Sequence, residues 1–300
     1  MDLIKRRVLL IGANGKLGNS VARSLAGKAG LELLCSDSGE KLISGGSEYT
    51  QTDITKRNSV KELFHKFFPD VVINTAGFTN VDACELNKEL SWNVNVKGTE
   101  NIAASAWAID ADLIHISSDY IFDGKEGPYT EEDVPHPISY YGRTKLAAEN
   151  SLRTSGVRFT IFRTNVLYGS NSDLKPDFVR WAVKSLKEGL QIKIVTDQIN
   201  NPTYIEDLTN VIIGAIDKET CGIFNIGGAE IINRYEFTCR IARYFKLDES
   251  LIIPIKTADL KQPAPRPLKS GLIIAKAVKE LGYKPTEIEE TFRLIAGSVA

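Results

Sequence analysis

Arg7-Val8-Leu9-Leu10-Ile11-Gly12-Ala13-Asn14-Gly15-Lys16-Leu17-Gly18 decides the fold. The run from Arg7 to Ile11 is largely apolar and reads as a strand buried on both faces. A glycine turn follows at once, and a helical pattern begins behind it. Strand, glycine turn and helix in that order suit a dinucleotide pyrophosphate. Glycines let the backbone approach, and the helix N-terminus offers free N–H groups and a positive dipole. The spacing is G-x-x-G-x-x-G rather than G-x-G-x-x-G, so the position directly after the first strand carries the weight. Gly12, Asn14, Gly15, Lys16, Leu17 and Gly18 are the first candidate cofactor residues.

Outward from this turn the same alternation repeats. Leu31 to Cys35 reads as the second strand, and Asp37 lies just beyond it, 19 residues after Gly18. A carboxylate there accepts hydrogen bonds from an adenosine ribose and repels a 2′-phosphate, which favours NAD over NADP. Lys16 and Lys41 would offset part of that repulsion. Asp53-Ile54 follows a third strand (Glu48 to Thr52) and suits an adenine edge. Lys56 to Phe68 reads as a helix stopped by Pro69. Asp70 to Asn74 is a buried strand ending in Thr75-Ala76-Gly77, where small Ala76 and Gly77 let a cofactor lie against the strand end. Leu86 to Ala108 is largely helical, with Asn93 and Asn95 read as solvent-facing. Leu113 to Ile116 is the next strand, and Ser117-Ser118-Asp119-Tyr120 leaves its C-terminal end. Ligands bind at the C-terminal strand ends of open α/β sheets, so Ser118 belongs on the cofactor side.

Gly124 to Pro137 is polar and reads as a loop. A helix carrying Tyr141 and Lys145 runs to about Arg153, and Val157 to Phe162 is another strand. The alternation predicts a doubly wound parallel sheet of the α/β class. After Arg163 the pattern changes. Helical stretches (Lys175 to Leu186, Ile205 to Ile216, Arg234 to Phe245) mix with short strands (Gln191 to Val195, Gly222 to Ile226). Pro254, Pro263, Pro265 and Pro267 mark an irregular segment. The expected division is a dinucleotide-binding domain over 1–163 and a mainly substrate-binding region over 164–300 that partly returns to the main sheet.

Tyr141 and Lys145 are four apart on a helix and share one face, roughly 6 Å apart along the axis. At roughly 4 Å and an effective dielectric of about 20, a phenolate–ammonium pair is worth about 4 kcal/mol. That is about three pKa units. The expectation is a phenol able to exchange its proton near neutrality.

The 300 residues carry a net charge of −1, which implies no broad polyanion-binding surface and no nucleic-acid role. No apolar run reaches the length of a membrane span. The basic and apolar start, Met1 to Ile11, is interrupted by Gly12 to Gly15 too early for a secretory signal. Cys35, Cys84, Cys221 and Cys239 form no C-x-x-C and read as free thiols in a reducing cytoplasm. His65, His115 and His136 show no metal-ligand spacing, so no metal is expected and all three read as structural or surface residues.

These stretches together resemble the extended short-chain dehydrogenase/reductases. The carriers are Gly12 to Gly18, Asn74-Thr75-Ala76-Gly77, Ser117 to Tyr120, and Tyr141-Gly142-Arg143-Thr144-Lys145. Within them the chain looks most like the dTDP-4-dehydrorhamnose reductases. Ser118 to Gly124, Pro128 to Glu131, Asp197-Gln198, Pro202-Thr203 and Pro265-Arg266-Pro267 support this. The resemblance covers nearly the whole chain. It implies a Rossmann-like fold, NADH or NADPH as cofactor, and reduction of the 4-keto group of a nucleotide-linked 6-deoxysugar. It implies Tyr141 as proton donor, Lys145 on the nicotinamide ribose, Ser118 on the carbonyl, and Thr79, Asp119, Tyr120 and Arg266 near substrate. A homodimer is left open. The reductases often carry a Trp after an Arg-Thr-Ser stretch; here the stretch is Arg163-Thr164-Asn165 and Val166 takes the place of the Trp.

Two other readings stand beside this one. A nucleotide-sugar epimerase or dehydratase is the second. Related dehydratases carry an Asp-Glu pair where this chain has Asp119-Tyr120, so the acid for water elimination is missing. The third is a cofactor-binding regulatory subunit, similar to the β subunit of methionine adenosyltransferase, which shares the Ser-Ser-Asp-Tyr stretch and works by binding a partner.

Overall fold

The computed structural model describes residues 5–42, 47–169, 174–218 and 220–299. The leader reading at Met1 to Ile4 lies outside them. Seven strands form the central sheet: β1 (Arg6–Ile11), β2 (Leu31–Asp37), β3 (Glu48–Gln51), β4 (Val71–Asn74), β5 (Asp112–Ser118), β6 (Phe159–Thr164) and β7 (Gly222–Ile226). All pairings are parallel and the spatial order is β3-β2-β1-β4-β5-β6-β7. The order reverses between β1 and β4, which opens a crevice at their C-terminal ends.

Strict alternation along β1 explains why the sheet is covered on both sides. Val8 and Leu10 pack on one face with α1 (Lys16–Leu25) and the helix Ile205–Lys218, while Leu9 and Ile11 pack on the other. That second face is covered by α2 (Arg57–Phe67), α3 (Gly98–Ala108) and α4 (Tyr140–Thr154). α2 ends where Phe68 turns to φ 54°, just ahead of Pro69, which cannot donate to the helix.

Outside the sheet, two further apolar clusters centre on α5 (Phe178–Lys187) and the helix Arg234–Tyr244. The pair Ile192–Val195 and Ile252–Ile255 packs with them. Short pairs at 167–168 with 203–204 and at 199–200 with 232–233 frame the C-terminal side of the sheet.

Three local readings change. β2 and β5 run further than their apolar cores, so Asp37 and Ser118 are the last residues of strands rather than loop residues. The stretch from Lys88 to Ala108 is not one α-helix. A π-helical segment, Asn93–Lys97, interrupts it, which places Asn95 inside the protein, not in solvent. Asn95 Oδ1 accepts from Phe78 N–H at 2.7 Å, and its Nδ2 donates to Phe78 O at 3.1 Å and to Thr144 Oγ1 at 2.9 Å. The bulge turns the amide between the β4 exit and α4, and buried polar groups there need those partners.

Candidate functional site

β1 delivers the chain into the glycine turn with Gly12 at φ +88°. A Cβ on Gly12 would stand 2.5 Å from Ala76 N, and one on Gly18 would overlap the Gly12 carbonyl. Both glycines are thus required by the fold itself. Gly15 differs: among the described residues its Cβ would meet only Gly12 O, at 3.2 Å. Gly15 is also the N-cap residue of α1, and it has no side chain to cap that helix. Its first residues, Lys16, Leu17 and Gly18, line an open cavity together with Gly15. This is a cradle for an anion held by backbone donors, and a dinucleotide pyrophosphate fits it.

Asp37 closes the far side of the turn. Its Oδ2 accepts from Asn14 N–H at 3.1 Å, and its Oδ1 from Ser38 N–H at 2.7 Å. The Lys16 ammonium reaches the Pro176 carbonyl at 3.2 Å; burial lowers its pKa and Asp177 holds it up. Lys41 contributes its carbonyl, which accepts from Asn14 Nδ2 at 3.0 Å. A cavity of about 290 Å³ continues from here, lined by Gly15, Asp37, Ser38, Asp53, Ile54, Ala76 and Gly77. Asp53 lies below the usual carboxylate range because Thr55 donates to it, and its Oδ2 is 3.6 Å from the Lys56 ammonium.

The larger cavity, about 510 Å³, runs from Gly15 past Ala76, Gly77 and Thr79 to Ser118, Tyr141 and Lys145. It ends among Val166, Gln198, Asn200 and Arg234. α4 brings Tyr141 and Lys145 in. Ser139 caps it by accepting from Gly142 N–H at 3.1 Å, and Gly142 lets the helix touch the Tyr120 carbonyl, where a Cβ would clash. Tyr120 and Tyr141 meet edge to face at 5.6 Å between ring centres.

The Lys145 ammonium donates to the Ile116 carbonyl at 2.5 Å, and burial brings its pKa down to about 8. Tyr141 is 8 % exposed, and burial pushes its phenol well above the ordinary value. Ser118 holds it down, while Asp119, Cys84 and Tyr120 push it further up. The expectation of a phenol lowered toward neutrality by Lys145 is therefore corrected for the ligand-free chain. The two side chains share a helix face, but the ammonium is spent on a β5 carbonyl and the phenol is desolvated.

Asp119 lines this cavity at 2 % exposure, yet both its oxygens are engaged. Ser118 Oγ donates to Oδ1 at 2.9 Å and Ser270 Oγ to Oδ2 at 2.6 Å. Arg266 is paired as well: Nη1 and Nη2 donate to the Asp82 carboxylate at 2.9 and 2.7 Å, which fixes the segment after Pro263 across the site. A neighbouring cleft of about 320 Å³ shares Tyr120, Gln198 and Arg234 with the main cavity. It adds Phe178, Trp181, Lys193 and Arg266. Arg234 lies over the Phe178 ring at 5.0 Å.

Arg234, Asn95, Asn165 and Ser270 escaped the sequence reading. Arg234 opens a helix and Asn95 sits mid-helix, so neither carries a local signal. Asn165 and Ser270 join the site only through tertiary contact, Asn165 Nδ2 donating to the Ser270 carbonyl at 3.0 Å.

Comparison with known proteins agrees with this arrangement. The RmlD substrate binding domain model matches residues 6–298. A dTDP-4-dehydrorhamnose reductase of Aggregatibacter actinomycetemcomitans is 32% identical, over 96% of this chain and 98% of the relative. A crystal structure of the Bacillus anthracis dTDP-4-dehydrorhamnose reductase in complex with NADP superposes with a TM-score of 0.87. It is 27% identical, covering 97% of this chain and 99% of that one. The methionine adenosyltransferase 2 subunit beta of Rattus norvegicus is 31% identical, over 85% of this chain and 77% of that protein. A family match that spans both the glycine turn and the segment of Arg266 makes this chain a member of the RmlD substrate binding domain family.

Proposed function

We propose that this chain is an NAD(P)H-dependent oxidoreductase that reduces the 4-keto group of a nucleotide-linked 6-deoxysugar. The substrate we assign first is dTDP-4-dehydrorhamnose, giving dTDP-L-rhamnose. One observation carries the reading. A single cavity joins an anion cradle at Gly15 to a buried phenol, a hydroxyl and an ammonium, and continues to Arg234. The adjoining cleft, with Arg234, Lys193 and aromatic Phe178 and Trp181, suits a diphosphate and a base.

In this reading Gly12 to Gly18 and Ala76-Gly77 hold the dinucleotide, Asp37 its adenosine ribose, and Asp53-Ile54 its adenine. The bound nicotinamide supplies a hydride to the sugar carbonyl carbon. Tyr141 gives its proton to the carbonyl oxygen, Ser118 hydrogen-bonds that oxygen, and Lys145 holds the nicotinamide ribose. Thr79, Asp119, Tyr120 and Arg266 border the sugar nucleotide. Residues 1–163 serve the cofactor and 164–300 mainly the substrate. Support for that division is that the glycine cradle lies wholly in the first part, and Arg234 and Arg266 in the second.

A homodimer in the cytoplasm completes the proposal. All four cysteines are free thiols, which suits a reducing compartment. No helix among the described residues is long and apolar enough to cross a membrane. Light scattering and cell fractionation test these two points.

The similarity to a methionine adenosyltransferase β subunit favours a second reading, a cofactor-binding regulatory subunit. One assay separates the two: loss of reduced-nicotinamide absorbance with dTDP-4-keto-6-deoxy-L-mannose, run with NADH and NADPH in parallel. Turnover establishes the reductase. Bound cofactor without turnover on any keto sugar, together with a co-purifying enzyme, establishes the regulatory subunit.

A further inference from the structure

Two arginines line the cleft beside the main cavity, and only one of them is matched by an anion of the chain. Arg266 forks onto the Asp82 carboxylate at 2.9 and 2.7 Å and donates to the Ala264 carbonyl at 2.7 Å. Arg234 is the opposite case. Its backbone N–H is held by the Gln198 carbonyl at 3.0 Å, yet its guanidinium makes no hydrogen bond and no ion pair among the described residues. The Phe178 ring, 5.0 Å away, supports it. Burial lowers its pKa; Tyr120 and Asp119 hold it up and Arg266 pushes it down. Asp119 is no ion-pair partner, because both its oxygens accept from the hydroxyls of Ser118 and Ser270. A guanidinium keeps its proton in any protein setting, so Arg234 carries a charge without a counter-charge in contact.

The surroundings favour a ligand anion. No carboxylate is among the described residues that line the cleft, and Lys193 adds a second cation. Arg234 lines the main cavity as well, so a ligand that fills both spaces carries its linker past this side chain. Phe178 already bears Arg234 and stacks on Phe237 at 6.2 Å. Trp181, 41% exposed, is the neighbouring ring with a surface open to a ligand.

We infer that Arg234 is the specificity residue of this site: it takes the diphosphate of the sugar nucleotide, Trp181 carries the base, and Arg266 fastens the segment after Pro263 to Asp82. The planar fork of Arg234 matches two phosphate oxygens, and an ammonium in its place would not. The site therefore selects a diphosphate ester over a free sugar.

The inference rests on the sugar-nucleotide reading, so its first test is binding without turnover. Calorimetry measures dTDP and thymidine on the full chain in saturating NADPH. The wild type should bind dTDP at least about 100-fold more tightly than thymidine. Arg234→Met should weaken dTDP at least about 30-fold and leave thymidine within about threefold. Arg234→Lys should recover only part of that loss. Trp181→Ala should weaken both ligands by one factor, about fivefold or more. Arg266→Gln should leave the ratio of the two affinities within about threefold, since its part is structural. A ratio that survives Arg234→Met, a ratio that collapses in Arg266→Gln, or ligands indifferent to Trp181→Ala overturns the inference.

Stability separates binding from packing. Arg234→Met keeps a stem over Phe178 and removes an unpaired charge, so the Tm of the ligand-free chain should hold or rise. A fall of more than about five degrees would make Arg234 a structural residue and overturn the inference. With the keto sugar, Arg234→Met should raise KM at least about tenfold and leave kcat within about threefold. Tight dTDP binding without wild-type turnover fails the reductase reading alone. A wild type that binds dTDP no better than thymidine overturns the inference, whatever the turnover.

Discussion

Lys145 Nζ donates to the carbonyl oxygen of Ile116 at 2.5 Å, so the cation of α4 is anchored on β5. Burial brings its pKa to about 8. A lysine in the unfolded chain titrates near 10.4. Between those values the unfolded chain holds a proton that the folded chain has released, so this group adds stability as pH rises through the window. Below about 8 it costs stability in full. Lys145→Met should raise the Tm of the cofactor-free chain at pH 7, flatten its rise toward pH 10, and cut turnover at least 100-fold. Thermal unfolding at both pH values checks this; a variant no more stable at pH 7 would refute it.

Tyr141→Phe removes the proton donor and keeps the ring against Tyr120. Loss of a general acid typically costs about 10²–10⁴ in rate. Cofactor affinity should stay within about twofold, read by fluorescence titration. Unchanged turnover would take Tyr141 out of the mechanism.

The glycines of the turn should separate fold from ligand. Gly12→Ala and Gly18→Ala force a side chain into backbone, so both should lower Tm and abolish cofactor binding. Gly15→Ala meets only one atom of the described residues, at 3.2 Å, so its Tm should stay within a few degrees while cofactor affinity falls at least tenfold. Intact affinity in Gly15→Ala would place the pyrophosphate elsewhere.

Asp37 is the charge that a 2′-phosphate would meet. Asp37→Ser keeps an acceptor for Asn14 N–H and removes the repulsion. The ratio of kcat/KM for NADPH over NADH should rise at least tenfold. A ratio unmoved by the substitution would mean that the ribose does not lie on Asp37.

Arg163 and Glu149 form a bidentate pair at 3.0 and 2.8 Å, with side chains only 1% and 0% exposed. Glu149→Gln leaves a buried guanidinium without its charge partner, which costs about 3–5 kcal/mol. Urea unfolding measures the loss. A cost under about 1 kcal/mol would show that water reaches Arg163 in the variant.

The sheet was legible because its strands are short apolar runs at regular intervals, each followed by turn residues or a helix. Gly222 to Ile226 reads as a strand with the bounds the structure gives it for that reason. The glycine turn, Ser118 and the α4 pair were legible as motifs, since each is local. What remained hidden depends on rotation or on distance along the chain. Asn95 reads as solvent-facing until a π-helical segment turns it inward. Ser270 lies 151 residues from Asp119, with no spacing to betray the contact. The direction of the Tyr141 shift needed the burial of the phenol and the aim of the ammonium, and a four-residue spacing contains neither.

The last strand of the sheet is Gly222–Ile226, and among the described residues its only sheet neighbour is β6. A chain still being synthesised therefore carries β6 as a raw edge, with the carbonyls and amides of Thr160 to Thr164 open, until residue 226 has left the ribosome. The apolar faces of Ile161 and Phe162 share that wait. A fragment ending near Arg163 would keep the edge for good and be drawn to pair with another copy of itself. The part that holds the nucleotide thus borrows its finishing strand from the part that meets the sugar, and expression of the first half alone would yield aggregate.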